Sequence, residues 1–160
     1  MGTGFGWDFK SQYQKCQWEK VEYKGREYTA ALYGKSSEQV ACITLNRPEK
    51  RNAFNDKMFA DMMAGFHEAY DDPSVKVVII KAAGDHFCAG HDLTQWGAVD
   101  MTDNRPREER RRPQKDQLIR QLSEERDVMR RLFFSLKPTI CQVHGLCIEW
   151  GNMIQVMCDM

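Results

Sequence analysis

Phe87-Cys88-Ala89-Gly90-His91-Asp92-Leu93 follows the apolar strand pattern of Val75 to Ile80, after a polar turn that contains Gly84. Ala89 and Gly90 are small enough to let the backbone approach a neighbour closely, and His91 stands at the tip. A strand that ends this way suits backbone N–H groups aimed at a ligand carbonyl. A second such turn, His144-Gly145 through Gly151, lies downstream and strengthens the reading.

Upstream of the quoted stretch, Val40 to Leu45 is β-branched and alternating, and Asn46-Arg47-Pro48 closes it as a strand. Asn55 is an N-cap candidate, with Asp56 placed to favour a helix N-terminus. Met58, Phe59, Met62, Met63, Phe66 and Tyr70 then repeat at helical spacing, and Asp71-Asp72-Pro73 ends the run. This stripe is read as core packing. Val75 to Lys81 is apolar enough to predict a strand buried on both faces. Strand, helix, strand in this order predicts a βαβ unit in an α/β fold.

Farther out, Trp18 to Tyr33 alternates through Val21, Tyr23 and Tyr28 around Lys24-Gly25, which predicts a hairpin. Residues 1–17 form an N-terminal arm without periodicity, and residues 18–160 form the domain. Arg105 to Arg131 is the compositional outlier, charged and proline-punctuated in its first part. From Gln117 onward, Leu118, Leu122, Met129, Leu132 and Phe133 predict a helix with one buried side. The interleaved acids Glu108, Glu109, Glu124, Glu125 and Asp127 favour a solvated face over a polyanion contact. Lys137-Pro138 opens a strand, Thr139 to Val143, and a helix from Trp150 is expected to run to Met160 without a stop signal. The domain therefore reads as interrupted.

Lys plus Arg and Asp plus Glu both number 23, so the charge balance gives no reason to expect nucleic acid. No apolar run approaches the roughly 18 residues that cross a bilayer, and no membrane partner is expected. Residues 1–10 lack a signal-peptide layout. The six cysteines form no CxxC pair, so they are read as free thiols of a cytoplasmic protein rather than as a metal site.

Three motifs appear in order: Ile43-Thr44-Leu45-Asn46-Arg47-Pro48-Glu49-Lys50-Arg51-Asn52-Ala53, then Phe87 to Leu93, then Lys137-Pro138-Thr139 with Val143-His144-Gly145 and Cys158-Asp159. Together they resemble the crotonase superfamily of enoyl-CoA hydratases and isomerases, over residues 18 to 160. The resemblance implies a ββα spiral core, cut off before the C-terminal helical region through which members form trimers or hexamers. It also implies an acyl-CoA thioester as partner and substrate, with no cofactor beyond that coenzyme A. The shared chemistry is polarisation of the thioester carbonyl by two backbone N–H groups, each worth roughly 3 kcal/mol of barrier. By motif position these donors belong to His91 and Trp150. Lys50, Arg51, Ala53, Ala89, His91, Asp92 and Leu93 match the loops along the coenzyme A.

The sequence also departs from the family pattern. A helix position that carries a glutamate in hydratases is Met153 here, and a thioether transfers no proton. Where glycines usually follow one another, the chain reads Ile148-Glu149-Trp150-Gly151-Asn152. Glu149 is either an acid or base recruited one helical turn from Met153, or a solvent-facing cap residue. Enoyl-CoA hydration is the family default. Met153 favours isomerisation, decarboxylation or another enolate reaction, and the alternative is a silent acyl-CoA-binding or assembly subunit.

Overall fold

The computed structural model describes residues 19–20, 27–36, 39–94, 104–109 and 115–160. The expected N-terminal arm and the Lys24-Gly25 turn lie outside these residues. Five strands form one sheet in the order β1 (Glu19–Lys20), β2 (Ala31–Lys35), β3 (Val40–Leu45), β4 (Val77–Ala82), β5 (Thr139–Cys141). The first three pair antiparallel, with Tyr33 opposite Ile43; β3, β4 and β5 run parallel, with Ile43 opposite Ile80 and Ile79 opposite Ile140. The parallel β3–β4 pair needs a crossover between its strands, and helix α1 (Asp56–Asp71) supplies it.

Helix α1 starts where the sequence predicts. The Asn55 side chain accepts the Met58 N–H at 3.0 Å, and Met58, Phe59, Met62 and Phe66 are buried against the sheet. A Cβ at Gly65 would stand 3.2 Å from Ile43 Cγ1, so the helix rests close on β3. Asp61 is buried on the same helix, and its Oδ2 accepts the N–H groups of Thr29, Ala30 and Ala31 at the entry to β2.

Four expectations require correction. In β4 only Val78 and Ile80 are fully buried, while Val77 and Ile79 are partly open, so the strand is not sealed on both faces. The strand after Pro138 spans Thr139–Cys141 and stops short of Val143. Helix α2 (Lys115–Phe133) buries Val128 and Leu132 but leaves Leu122 and Phe133 exposed, so its covered face differs from the predicted stripe. The face is set by what the helix packs on, namely α1 and the last helix, α3 (Trp150–Met157). Finally, α3 ends at Met157. Cys158 turns extended, the Asp159 N–H bonds Thr139 O at 3.1 Å, and Cys141 donates to Met160 O at 2.6 Å. The last residues lie along β5 because Asp159 Oδ2 accepts both the N–H and the hydroxyl of Thr139 at 2.8 Å.

Beyond the ends of β3, β4 and β5, three further segments are laced by backbone bonds. Ala89 donates to Arg51 O at 3.0 Å, Phe54 to Gly90 O at 2.8 Å, and Asp92 to Phe54 O at 2.7 Å. On the other side Phe87 donates to His144 O, Cys88 to Leu146 O, and Ile148 back to Cys88 O, all within 2.9 Å. Residues 87–92 are thereby held between 51–54 and 144–148.

Candidate active site

Asn52 anchors the first wall of the site. It is fully buried with φ at 55°, and its Oδ1 accepts the Arg47 N–H while its Nδ2 donates to Ala83 O and His86 O, each at 2.8 Å. A left-handed backbone suits asparagine better than most side chains. Arg47 in turn donates to Ala53 O at 2.6 Å and pairs with Asp92 at 2.8 Å. Burial opposes ionisation of Asp92, but bonds from Thr94 and Arg47 outweigh it and hold this carboxyl below the ordinary range. Asp92 therefore faces inward as the brace of the loop. Lys50, Arg51 and Leu93 are exposed, whereas Ala53 and Ala89 are half-buried.

The second turn is pressed onto the first. A Cβ at Gly151 would lie 2.8 Å from Cys88 Cβ, and one at Gly90 would lie 2.9 Å from Glu149 Oε2. Gly90 also has φ at 96°, so glycine answers both the conformation and the space. Cys88 is buried behind this contact, and burial pushes its thiol up to about 11, which leaves it un-ionised at neutral pH. His86 is half-buried, and its Nδ1 accepts the Leu146 N–H at 3.3 Å. His144 Nε2 lies 2.8 Å from Gly84 O and packs its turn.

His91, Glu149, Trp150 and Glu125 converge where the two turns meet. The His91 backbone N–H donates to Glu149 Oε2 at 2.8 Å, and His91 Nδ1 lies 2.6 Å from Glu149 Oε1. The Trp150 indole N–H, which can only donate, reaches His91 Nε2 at 2.7 Å. With Nε2 accepting, the ring proton sits on Nδ1 and is donated to Glu149. Trp150 is buried, its ring 5.7 Å from Phe54 and 4.8 Å from Phe59, which is how the turn accommodates a residue where small ones were expected. Its backbone N–H opens α3, where an N–H has no partner inside the helix.

Glu149 itself has φ at 47° with ψ at −101°, a conformation that a β-carbon disfavours by about 1–3 kcal/mol. Glu149 does occupy the N-cap position of α3 and is exposed, as one of the two expectations had it, but its side chain makes no capping hydrogen bond and the carboxylate turns to His91. Met153, one turn into α3, is partly exposed and apolar.

Sequence reasoning missed Glu125. It was grouped with the solvated acids of α2, yet its side chain is only 11% exposed and its Oε1 lies 3.1 Å from His91 Nε2. The available signal was its spacing, three and seven residues before Val128 and Leu132, which are the buried positions. A separate groove lined by Tyr70, Arg130, Arg131, Phe134 and Leu136 shares no residue with this cluster. Among the described residues no group of three or more His, Cys, Asp or Glu could hold a metal ion, and no helix is long and apolar enough to cross a membrane.

The model of the enoyl-CoA hydratase/isomerase family matches residues 35–160. The chain belongs to that family. Among solved structures, an enoyl-CoA hydratase/isomerase from Xanthobacter autotrophicus Py2 is 31% identical with a TM-score of 0.68, over 84% of this chain and 45% of that one. An enoyl-CoA hydratase from Mycobacterium smegmatis is 30% identical with a TM-score of 0.68, over 82% and 46%. An enoyl-CoA hydratase from Shewanella pealeana, 22% identical, has a TM-score of 0.72 over 84% and 46%, a likeness of fold. The chain thus spans just under half the length of these structures. The fold is crotonase-like, a mixed sheet with helices.

Proposed function

We propose that the protein stabilises the enolate of an acyl-CoA thioester, with the backbone N–H groups of His91 and Trp150 as oxyanion donors and Glu149 as the acid or base. One observation carries this reading. The His91 N–H already holds an anionic oxygen, Glu149 Oε2, at 2.8 Å, within the 2.7–3.1 Å at which such donors act on a developing oxyanion. A thioester oxygen arriving there displaces the carboxylate, which stays beside it through His91 and meets the α-carbon. Glu149 breaks the α C–H bond and takes the proton, the electron pair moves into the enolate, and the two N–H groups bear the charge on oxygen.

With Glu149 as the one carboxylate at the His91 backbone N–H, the site supports proton transfer between carbons, as in isomerisation, more directly than hydration. Hydration asks for two carboxylates on one water, and Met153 cannot be the second. Lys50 and Arg51, exposed in the loop after β3, suit the phosphates of coenzyme A. Ala53, Ala89, His91 and Leu93 flank its path, and Asp92 contributes by holding Arg47. No cofactor beyond the coenzyme A of the substrate enters the scheme. A cytoplasmic trimer or hexamer is the assembly proposed from the family resemblance.

Met153 and the occupied His91 N–H favour a second reading, a silent acyl-CoA-binding subunit. Assays of the full-length protein with a 2-enoyl-CoA and a 3-enoyl-CoA separate the two. Conversion of either that Glu149→Gln abolishes supports the enolate enzyme; micromolar CoA-ester binding without turnover supports the silent subunit.

A further inference from the structure

We propose that the groove between the C-terminal ends of α1 and α2 docks an acidic segment of a partner protein, which lays apolar side chains on Phe134 and Leu136 and its carboxylates on Arg130 and Arg131. The groove encloses about 500 Å³ and is lined by Tyr70, Asp127, Arg130, Arg131, Phe134 and Leu136. None of these residues belongs to the cluster around His91, so the inference stands apart from the enolate reading.

The apolar wall of the groove is exposed yet fixed. Phe134 and Leu136 are 67% and 89% exposed, and Phe133 stands edge-on to Phe134 with ring centroids 5.1 Å apart. Large apolar side chains gathered on a surface mark a contact site, whereas single ones need no explanation. The backbone that presents them is pinned to its neighbours. The Leu136 N–H donates to the Tyr70 hydroxyl at 3.0 Å, and Ser135 Oγ donates to Lys137 O at 2.6 Å. The Lys137 ammonium donates to Ala69 O and Asp72 O at the end of α1. A wall held in this way loses little freedom when a partner settles on it.

The charges choose the partner. Arg130 and Arg131 are exposed, and among the described residues neither guanidinium makes an ion pair. The acid in the lining, Asp127, stands 3.9 Å from Arg126, and Asp72 at the foot of α1 pairs with Lys35. The groove therefore presents positive charge beside exposed rings. Cations in the last turn of α2 also favour its own dipole, but that effect asks nothing of Phe134 or Leu136. A guanidinium receives a carboxylate through two parallel N–H donors, while its methylene stem covers apolar surface. An acidic segment with apolar anchors satisfies both features. A basic segment meets like charge, and an uncharged one leaves both arginines unused.

Full-length protein is titrated into a fluorescein-labelled peptide of alternating glutamate and leucine, with fluorescence anisotropy as the readout. Saturable binding is expected. The double variant Arg130→Glu, Arg131→Glu is expected to weaken it at least about tenfold, and Leu136→Ser about threefold. These side chains are exposed, so both variants are expected to keep the wild-type melting temperature. Raising the salt from about 0.05 to 0.5 M is expected to weaken binding to the wild type. No binding to the wild type, or equal binding to the double variant, would overturn the proposal. Equal binding of a peptide of alternating lysine and leucine would overturn it as well, since the face would then be apolar only. So would sedimentation equilibrium in which the double variant lowers the number of subunits, because the groove would then hold a second copy of the chain.

Discussion

Glu149 holds His91 at two points: Oε2 accepts the backbone N–H at 2.8 Å, and Oε1 takes the ring proton of Nδ1 at 2.6 Å. One side chain thus couples the state of the imidazole to the occupancy of the backbone donor. Its own backbone is bent into a conformation suited to glycine in order to do so. Strain of that kind persists where surrounding contacts over-determine it, and here the contacts are the ones a thioester oxygen would replace.

Removing the charge of Glu149 separates binding from chemistry. Glu149→Gln is expected to lower turnover by at least about 100-fold, as loss of a positioned acid or base does. Calorimetry with a non-reactive acyl-CoA should give a Kd unchanged or tighter, since no carboxylate then competes for the His91 N–H. A weaker Kd with unchanged kcat would assign Glu149 to binding.

Gly90→Ala tests how closely the two turns must meet. The backbone there has φ at 96°, and the new Cβ would stand 2.9 Å from Glu149 Oε2. The variant is expected to lose roughly 1–3 kcal/mol in chemical denaturation and to lose activity as well, because the carboxylate must move. Full activity at unchanged stability would show that the contact is dispensable.

Asn52 is the structural counterpart. Asn52→Ala removes the side-chain partner of the half-buried carbonyls of Ala83 and His86 and of the Arg47 N–H, and places alanine at φ 55°. A loss of about 3 kcal/mol is expected, measured by urea unfolding.

Much of this was legible in the residues themselves. Asn55 followed by Met58, Phe59, Met62 and Phe66 carries its own cap and its own period, so α1 is local information. The two small-residue turns were legible because close backbone approach demands particular residue types. Glu125 was not, since an acid on a charged helix becomes a site residue only through which face α2 rests on its neighbours, and that is decided by tertiary packing. The end of α3 was missed for a similar reason: Cys158 to Met160 leave the helix to reach Thr139, a partner 20 residues away from Asp159. Trp150 was legible as an anomaly, but its pocket of Phe54 and Phe59 was not.

Acid stability follows from Asp61. Its burial opposes ionisation, but bonds from Lys57 and from the N–H groups of Thr29, Ala30 and Ala31 outweigh it and hold its carboxyl below the ordinary range. A group depressed in the native state contributes stability that is fully present above its ordinary value of about 3.9 and is lost as pH falls toward the native value. Wild-type stability should therefore fall below about pH 4. Asp61→Asn should flatten that fall while costing about 2 kcal/mol at pH 7. Parallel acid curves for the two proteins would refute the assignment.

The central claim is that this site forms and holds a thioester enolate, and deuterium exchange at the α-carbon measures it most directly. Full-length protein is incubated in D2O with a saturated acyl-CoA that cannot be hydrated, and the recovered thioester is weighed by mass spectrometry. The account predicts incorporation at the α-carbon with wild type and none with Glu149→Gln. A wild-type protein that binds the thioester yet leaves its α-protons in place would contradict it.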